Sequence, residues 1–215
     1  MEYTILMGKI TPLKFSHELL FKNNLRIRCE MEIRRAEMKD LKGVMALHKQ
    51  YHVDSINPAD KPDGFVTTNF TPEQLQALVE KERGITIAKD GERVICYAMA
   101  ASWQFWSEWP FFVHMIQQLP EHSFEGQVLS TDNSYQYGPI CVDKQYRGSG
   151  VLQKVFDASL DSMASRFPIM VTFINQINHR SYAAHTRKLK MHTVCTFQFN
   201  NNDYYMLACP TVRKK

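Results

Sequence analysis

The residues best suited to chemistry form a short turn that contains two glycines and leads into a helical pattern. A run of β-forming residues ends at Val142, and apolar residues recur at helical spacing from Val151 onward. Glycine lets backbone N–H groups face inward, because no Cβ atom obstructs them, and a helix N-terminus adds partial positive charge. The turn is therefore expected to hold an anion such as a phosphate. Its sequence is Asp143-Lys144-Gln145-Tyr146-Arg147-Gly148-Ser149-Gly150.

Two common glycine-rich phosphate sites do not fit this turn. A P-loop requires Lys after its second glycine, whereas Gly150 is followed by Val151. A dinucleotide-binding fingerprint requires Gly or Ala where Gln153 stands, and it belongs to the first βα unit of a domain. Both sites are excluded, and a glycine turn that binds no ligand stays open as the alternative.

The turn resembles the acetyl-CoA loop of the GNAT acetyltransferase superfamily, whose signature is [QR]-x-x-G-x-[GA] directly after a bulged strand. Residues 147–152 match that signature at its first and fourth positions, with Leu152 in the place of Gly or Ala. A second register, Gln145-x-x-Gly148-x-Gly150, satisfies the signature in full. The strand before the turn contains Gly138-Pro139, which predicts a bulge or an interrupted ladder.

A second stretch downstream resembles the family's motif N-x-x-[AS]-x-x-x-Y-x-K-L-G-F. Three differences separate this stretch from the motif: His185 replaces Tyr, one extra residue precedes Lys188, and Lys190 replaces Gly. The resemblance covers about residues 31–209. The matching run is Asn178-x-x-Ser181-x-x-x-His185, followed by Lys188-Leu189-Lys190-Met191.

The resemblance implies an N-acetyltransferase that moves an acetyl group from acetyl-CoA to a primary amine by direct attack. In the family, the pantetheine arm enters a gap between two parallel strands, where the backbone of Cys141 and Val142 would bind it. The acid that protonates the departing thiolate would be His185, at the motif's Tyr position, or Tyr182 on the same helix. The cofactor-binding residues implied by the resemblance are Cys141, Val142, Arg147, Gly148, Ser149, Gly150, Val151, Leu152, Asn178 and Ser181.

A general base is also expected, because an alkyl amine with a pKa near ~10.4 is only about 1 part in 10³ neutral at pH 7. The sequence does not single that base out: the candidates are Glu108, Glu121, Glu125 and Asp132. The alternative function is a non-catalytic acyl-CoA-binding module or sensor. It is suggested by Leu152 and Lys190, which stand where the family has small residues.

Hydrophobic patterning predicts the elements that would position these residues. Helices are expected at 38–51, from the Thr71-Pro72-Glu73-Gln74 capping box onward, at 151–166 and at 181–189. Strands are expected at 32–36, 85–89, 93–103, 135–142, 169–174, 193–199 and 204–208. The family resemblance implies a GNAT-like α/β (α+β) fold with a mixed, mostly antiparallel sheet of about seven strands. Helices would flank this sheet, with a splayed parallel pair of strands in its centre.

The domain is expected to span residues 31–209, with an appendage at 1–30 and a basic tail at 210–215. The segment 103–112 is rich in aromatic residues and is expected either to fill the core or to form the wall of an acceptor pocket. His48 and His52 are spaced for a metal on one helix face but have no third ligand, so no metal is expected.

Composition limits the classes of partner and compartment. Lys and Arg exceed Asp and Glu by only 26 to 22, and no basic run lies inside the body, so no nucleic-acid partner is expected. No stretch approaches the roughly 20 apolar residues that span a bilayer, so no membrane partner is expected. The five cysteines include no C-x-x-C pair, which is typical of a reducing cytoplasm. The acceptor and the oligomeric state cannot be read from the pattern, and a homodimer is one option.

Overall fold

The computed structural model describes residues 31–212. Nine strands are present: β1 Glu32–Arg35, β2 Ile85–Asp90, β3 Arg93–Ala101, β4 Ser123–Phe124, β5 Gln127–Val128, β6 Ser134–Val142, β7 Ile169–Asn175, β8 His192–Phe199 and β9 Asn202–Pro210. The α-helices are α1 Leu41–Gln50, α2 Pro72–Glu80, α3 Trp103–Trp106, α4 Pro110–Gln118, α5 Val151–Met163 and α6 His179–Ala183, the last continued by a π-helical turn at Ala184–Lys188. Short 3₁₀ turns lie at Met38–Asp40, Pro58–Asp63, Leu119–Glu121 and Lys144–Tyr146.

A seven-stranded sheet in the order β1-β2-β3-β6-β7-β9-β8 organises the molecule. Its neighbouring strands are antiparallel except for β6 and β7, which run parallel. The predicted mixed sheet with one central parallel pair is confirmed. The short strands β4 and β5 form a separate hairpin.

The parallel pair separates soon after it begins. Its register joins Ser134–Gln136 to Ile169–Val171 and goes no further. Beyond that point β6 stays paired with β3, and β7 stays paired with β9. The β3–β6 register shifts between Ala98 and Ala100, opposite Gly138-Pro139, so the predicted interruption of the ladder is confirmed. A gap between the two strands therefore opens just beyond Gln136.

Apolar side chains cover both faces of the sheet. One cluster joins Val44 of α1 and Leu78 of α2 to the fully buried indoles of Trp103 and Trp106. The other cluster packs α5 against the opposite face, with Phe156 at its centre. Helices on two sides thus hold the sheet rigidly around the gap. Within the described residues, no helix is both long and apolar enough to cross a membrane.

Local signals in the sequence become the expected structures at several element ends. Thr71 Oγ1 accepts from the Gln74 amide at 3.2 Å, and the Gln74 side chain accepts from the Thr71 amide at 2.9 Å, so the predicted capping box is confirmed. The hairpin between β2 and β3 turns at Gly91, whose φ of +57° suits glycine. Four cysteines within the described range, Cys96, Cys141, Cys195 and Cys209, are free thiols.

The last strand continues to Pro210, which pairs with Ile169, and the Thr211 hydroxyl donates to the Phe167 carbonyl at 2.7 Å. Three expected element boundaries need correction. The strand expected at 93–103 ends at Ala101, and Trp103 already begins α3. The helix expected at 181–189 begins at His179 and ends in a π-helical turn. The closing hairpin turns at 200–201, and β9 already begins at Asn202. The appendage at 1–30 and residues 213–215 of the tail lie outside the described residues.

Candidate active site

Two adjoining cavities lie beside the gap between β6 and β7. The glycine-turn cavity, of about 340 Å³, is lined by the end of β6, the glycine turn, the start of α5, residues 63–66 and the α6 region. The aromatic cavity, of about 440 Å³, is lined by residues 136–140 of β6, 172–175 of β7, 65–69 and several aromatic rings of α4 and β9. Six residues line both: Phe65, Val66, Ile140, Asn178, Ser181 and His185.

The glycine turn opens into the first cavity. Gly148 and Gly150 both have φ +86°, and a Cβ atom built on either would meet open space. The Val151 amide donates to Ser149 Oγ at 3.4 Å. Within the described residues, the amides of Gly148, Gly150, Leu152 and Gln153 have no acceptor. The turn and the first turn of α5 therefore present free donors where the helix dipole is positive.

A buried carboxylate fixes the start of this turn. Asp143 is 1% exposed, and its side chain accepts from the Gln145 amide at 2.9 Å. Its other carboxylate oxygen pairs with the guanidinium of Arg93 on β3. The Lys144 amide donates to the Tyr51 hydroxyl at 2.7 Å, which ties the turn to the end of α1. These bonds hold the turn in a fixed position relative to the sheet.

Arg147, the first residue of the signature, folds back under the turn. Its Nε donates to the Val142 carbonyl at 3.2 Å, and its guanidinium carbon lies 5.2 Å from the centre of the Tyr51 ring. Its Nη1 is buried without a hydrogen-bond partner among the described residues, with Asp63 Oδ2 at 3.6 Å. The cavity therefore contains an unsatisfied cationic donor.

Two further cationic side chains lie beside the turn but are not among the binding residues expected from the sequence. Arg180 and Lys188 line the glycine-turn cavity, and Arg180 also pairs with Asp63 at 2.7 Å. Among the described residues that line this cavity, Asp63 is the single carboxylate. Lys188 belongs to the second motif, but Arg180 lies at one of its variable positions, so only its neighbours in space could identify it.

The strand ladder decides which main-chain groups of β6 face the gap. Hydrogen bonding alternates along an antiparallel pair. The Asp143 amide donates to the Ile95 carbonyl at 2.9 Å, so these two residues form a hydrogen-bonded pair. The next hydrogen-bonded pair along β6 is Cys141 with Tyr97 of β3. The main-chain groups of Ile140 and Val142 must then point away from β3, toward the gap. The main-chain groups of Cys141, expected to bind the cofactor, therefore face β3, while the Cys141 side chain lines the glycine-turn cavity.

The opposite wall of the gap is built from β7. The Thr211 amide donates to the Pro168 carbonyl at 2.9 Å, which places Phe173 among the residues whose main-chain groups point away from β9. Thr172 Oγ1 donates to the Tyr137 carbonyl at 2.6 Å and closes the gap at its narrow end. Both strands thus present main-chain groups to the same opening.

His185 lies at the junction of the two cavities. Its imidazole is 3% exposed, and Nδ1 lies 2.8 Å from the Ser181 carbonyl. A carbonyl can only accept, so Nδ1 carries the proton and Nε2 has a free lone pair in the neutral ring. Burial lowers the pKa of His185 below its usual value. The side chain is therefore held neutral, in a tautomer that can accept a proton at Nε2.

Tyr182, the other catalytic candidate, points elsewhere. Its ring stacks on Tyr205 with 4.1 Å between centroids, and its hydroxyl lies 3.1 Å from Thr193 Oγ1. Tyr182 is not among the residues that line either cavity. The structure thus brings His185 to the glycine turn and leaves Tyr182 on the β9 side of α6.

The second motif begins with a helix cap. Asn178 Oδ1 accepts from the Ser181 amide at 3.1 Å, and both residues line both cavities. The predicted binding residues of this motif therefore border the same space as those of the glycine turn. In this structure the Asn178 side chain orients α6.

None of the four carboxylates considered as the base lines either cavity. Glu108, for example, accepts from the side chain of Gln74 at an exposed position.

Both ring nitrogens of His48 are engaged in hydrogen bonds: Nδ1 lies 2.6 Å from the Tyr97 hydroxyl, and Nε2 lies 2.8 Å from the Thr68 carbonyl. Among residues 31–212, no group of three or more His, Cys, Asp or Glu side chains could hold a metal.

The aromatic segment has two roles. Trp103 and Trp106 are core residues, and Trp103 Nε1 donates to Ser134 Oγ at 3.0 Å. Trp109, Phe111 and Phe112 instead line the aromatic cavity. The expected core filling and the expected pocket wall are thus formed by successive parts of one segment.

Comparisons with known proteins agree with this architecture. No protein-family model matches the chain, and no curated protein matches it. The solved structures that are similar in fold include the following three. An N-acetyltransferase from Staphylococcus aureus has a TM-score of 0.55 at 15% identity, over 85% of this chain and 99% of that one. The ribosomal-protein-S18-alanine N-acetyltransferase from Escherichia coli has a TM-score of 0.54 at 10% identity, over 86% and 96%. Naa50 from Arabidopsis thaliana, in complex with the bisubstrate analogue CoA-Ac-MVNAL, has a TM-score of 0.52 at 11% identity, over 83% and 97%.

The match to these acetyltransferase structures extends over most of the described sheet and helices. The chain therefore has the fold of the GNAT acetyltransferase superfamily, as its two motifs predicted.

Proposed function

We propose that this protein transfers an acetyl group from acetyl-CoA to an amine. The observation that carries the proposal is the set of free amides at Gly148, Gly150, Leu152 and Gln153, beside a cavity that reaches His185. These amides and the unsatisfied Nη1 of Arg147 suit a diphosphate, while Lys188 and Arg180 add positive charge beside it.

The main-chain groups of Ile140 and the Val142 amide, which point away from β3, would pair with the amide groups of the pantetheine arm. Those N–H groups face the position where the thioester carbonyl would lie, and such donors stabilise negative charge as it develops on oxygen. Burial raises the pKa of the Cys141 thiol to about 12, which keeps it uncharged and poorly nucleophilic. These features support direct attack by the amine.

His185 is the proposed proton carrier. The amine nitrogen forms a C–N bond to the acetyl carbon as the C–S bond to coenzyme A breaks. The proton lost by the amine passes to His185 Nε2, and the imidazolium then gives a proton to the thiolate sulfur. One side chain can serve in both steps because it borders both cavities.

A matched pair of glycine variants tests the cofactor site. At 100 times Kd, acetyl-CoA adds about 2.7 kcal/mol of stability, which raises the melting temperature by several degrees in a domain of this size. Gly150→Glu is expected to abolish this shift, because its carboxylate would face the bound phosphates. Gly126→Glu is the control, since Gly126 also has a positive φ and open space but lies outside both cavities.

Two results would contradict the cofactor site: an unchanged shift in Gly150→Glu, or no shift in the unaltered protein. Release of free thiol in the presence of amines then separates turnover from binding alone. Acetyl-CoA binding without thiol release from any amine would favour the non-catalytic acyl-CoA-binding module, in which Leu152 restricts the site.

A further inference from the structure

The aromatic cavity has an unusual combination of lining groups for a site that would receive an amine. Among the described residues, none that lines it is Asp, Glu, Lys or Arg. Aromatic rings form much of its walls, and amides and hydroxyls supply polar groups. The rings, besides that of His185, are Phe65, Trp109, Phe111, Phe112, Tyr137, Phe173 and Tyr204.

The lack of charge has an energetic consequence for the acceptor. A charged group that leaves water is strongly disfavoured unless an opposite charge or several hydrogen bonds replace its hydration. A second ammonium or a carboxylate on the acceptor would find no counter-ion on these walls. Flat apolar groups, in contrast, can pack against rings such as Trp109 and Phe111.

One polar side chain in the cavity has an open hydrogen-bonding position. Gln136 is 5% exposed and lines the cavity at the last paired position of β6, where the gap begins. Its Oε1 has no donor within the described residues. Buried carboxamide oxygens are almost always bonded. The terminal torsion of glutamine is soft, so a small rotation can present Oε1 to a bound N–H group.

We propose that the acceptor is a small primary amine whose remaining body is aromatic and carries no second charge. This inference rests on the proposed function and names the substrate class of the same site. The amine would donate one N–H to Gln136 Oε1 beside His185, and its ring would lie among the aromatic side chains of α4. The cavity volume of about 440 Å³ suits a small molecule.

A panel of amines tests the substrate class by thiol release with acetyl-CoA. The panel contains 2-phenylethylamine, spermidine, phenylalanine and a short peptide with a free N-terminus. We expect 2-phenylethylamine to have the highest kcat/KM, because it alone combines a ring with one amine and no further charge. A preference for spermidine, phenylalanine or the peptide would overturn the inference while leaving acetyl transfer intact.

Two substitutions test the groups that would set this preference. Gln136→Leu removes the open acceptor and is expected to lower kcat/KM for 2-phenylethylamine by about tenfold, with the acetyl-CoA thermal shift unchanged. Asn69→Asp adds a carboxylate at an exposed position of the cavity wall. It is expected to raise kcat/KM for spermidine relative to kcat/KM for 2-phenylethylamine. The controls are Gln127→Leu and Asn200→Asp, which lie outside both cavities. Unchanged selectivity in both test variants would overturn the inference.

A binding measurement separates this inference from the proposed enzyme activity. Calorimetry on protein saturated with coenzyme A reports amine binding without any turnover. Tighter binding of 2-phenylethylamine than of spermidine, weakened by Gln136→Leu, supports the substrate class even if no thiol is released. Absence of 2-phenylethylamine binding, or tighter spermidine binding, contradicts it.

Discussion

At the scale of single residues, the imidazole of His185 has the position and the protonation state that the proposed proton transfer requires. Its Nδ1 proton is held by the Ser181 carbonyl at 2.8 Å, so only Nε2 can exchange protons with a reactant. Tyr182, three residues before it, is turned toward Tyr205. His185 lines both cavities and Tyr182 lines neither, so only His185 is placed to exchange protons with a reactant there.

The pH dependence of turnover follows from the pKa of His185. Burial lowers this pKa below the ordinary value of 6.5, and proton acceptance requires the neutral ring. We therefore expect that titration of His185 leaves kcat/KM for acetyl transfer unchanged above pH 6.5. The value of kcat/KM is expected to fall only when the pH drops through the lowered pKa of His185. A limb from this group centred above pH 6.5 would contradict the assignment.

Replacement of His185 tests the same assignment. His185→Gln is expected to lower kcat about 10²- to 10⁴-fold and to remove the acidic limb, with the acetyl-CoA thermal shift retained. His179→Gln on the same helix is the control, because His179 is exposed and lines neither cavity. Equal activities of the two variants in thiol release would exclude His185 as the proton carrier.

At the scale of elements, a π-helical turn explains a departure from the family motif. One extra residue precedes Lys188, and the Leu189 amide donates to the Ala184 carbonyl, five residues earlier, at 3.1 Å. A π-helical turn takes up one inserted residue without ending the helix. The insertion is thereby absorbed while Leu189 stays buried and Lys188 stays at the glycine-turn cavity.

The pairing of β2 with β3 depends on a glycine at the start of β2. The Ala100 amide donates to the Gly84 carbonyl at 2.7 Å, and a Cβ built on Gly84 would lie 1.7 Å from the Ala100 carbonyl oxygen. Gly84→Ala is expected to destabilise the fold by about 1–3 kcal/mol, as measured by urea unfolding.

Gly91→Ala serves as the comparison for that variant. Gly91 has open space around it, so alanine there meets only the strain of a positive φ, about 1–2 kcal/mol. An unfolding midpoint for Gly84→Ala that equals that of the unaltered protein would show that the strand pair can relax around the methyl group.

At the scale of the whole molecule, the site exists because two parallel strands separate between two packed faces. Cores on both sides keep β6 with β3 and β7 with β9, so the gap cannot close by pairing. The glycine turn and His185 come from opposite sides of this gap. The aromatic cavity, between β6, β7 and the α4 segment, extends the same opening.

The appendage proposed at residues 1–30 stays a prediction that truncation can test. All seven strands of the main sheet and the lining of both cavities lie within the described range. A chain that begins at Met31 is therefore expected to show the same acetyl-CoA thermal shift as the full chain. Loss of cooperative melting or of the shift would show that the domain includes earlier residues.

The sequence by itself determined the seven strands of the main sheet, the central parallel pair and the glycine turn. Those features depend on local signals: periodic apolar residues, the Thr71 capping box, and glycines that expose amides at the start of α5. Chain order and family resemblance then placed the turn between β6 and its helix. These features are predictable because they depend mainly on interactions between residues that are close together in the sequence.

Only the tertiary structure decided which groups share the site. Strand register turned the main-chain groups of Ile140 rather than those of Cys141 toward the gap. Packing placed the side chain of His185 at the cavities and that of Tyr182 against Tyr205. Gln136 and Arg180 carry no local signal, because their importance comes from neighbours far away in the chain. Side-chain direction and burial arise from packing between distant segments, which spacing along one segment does not specify.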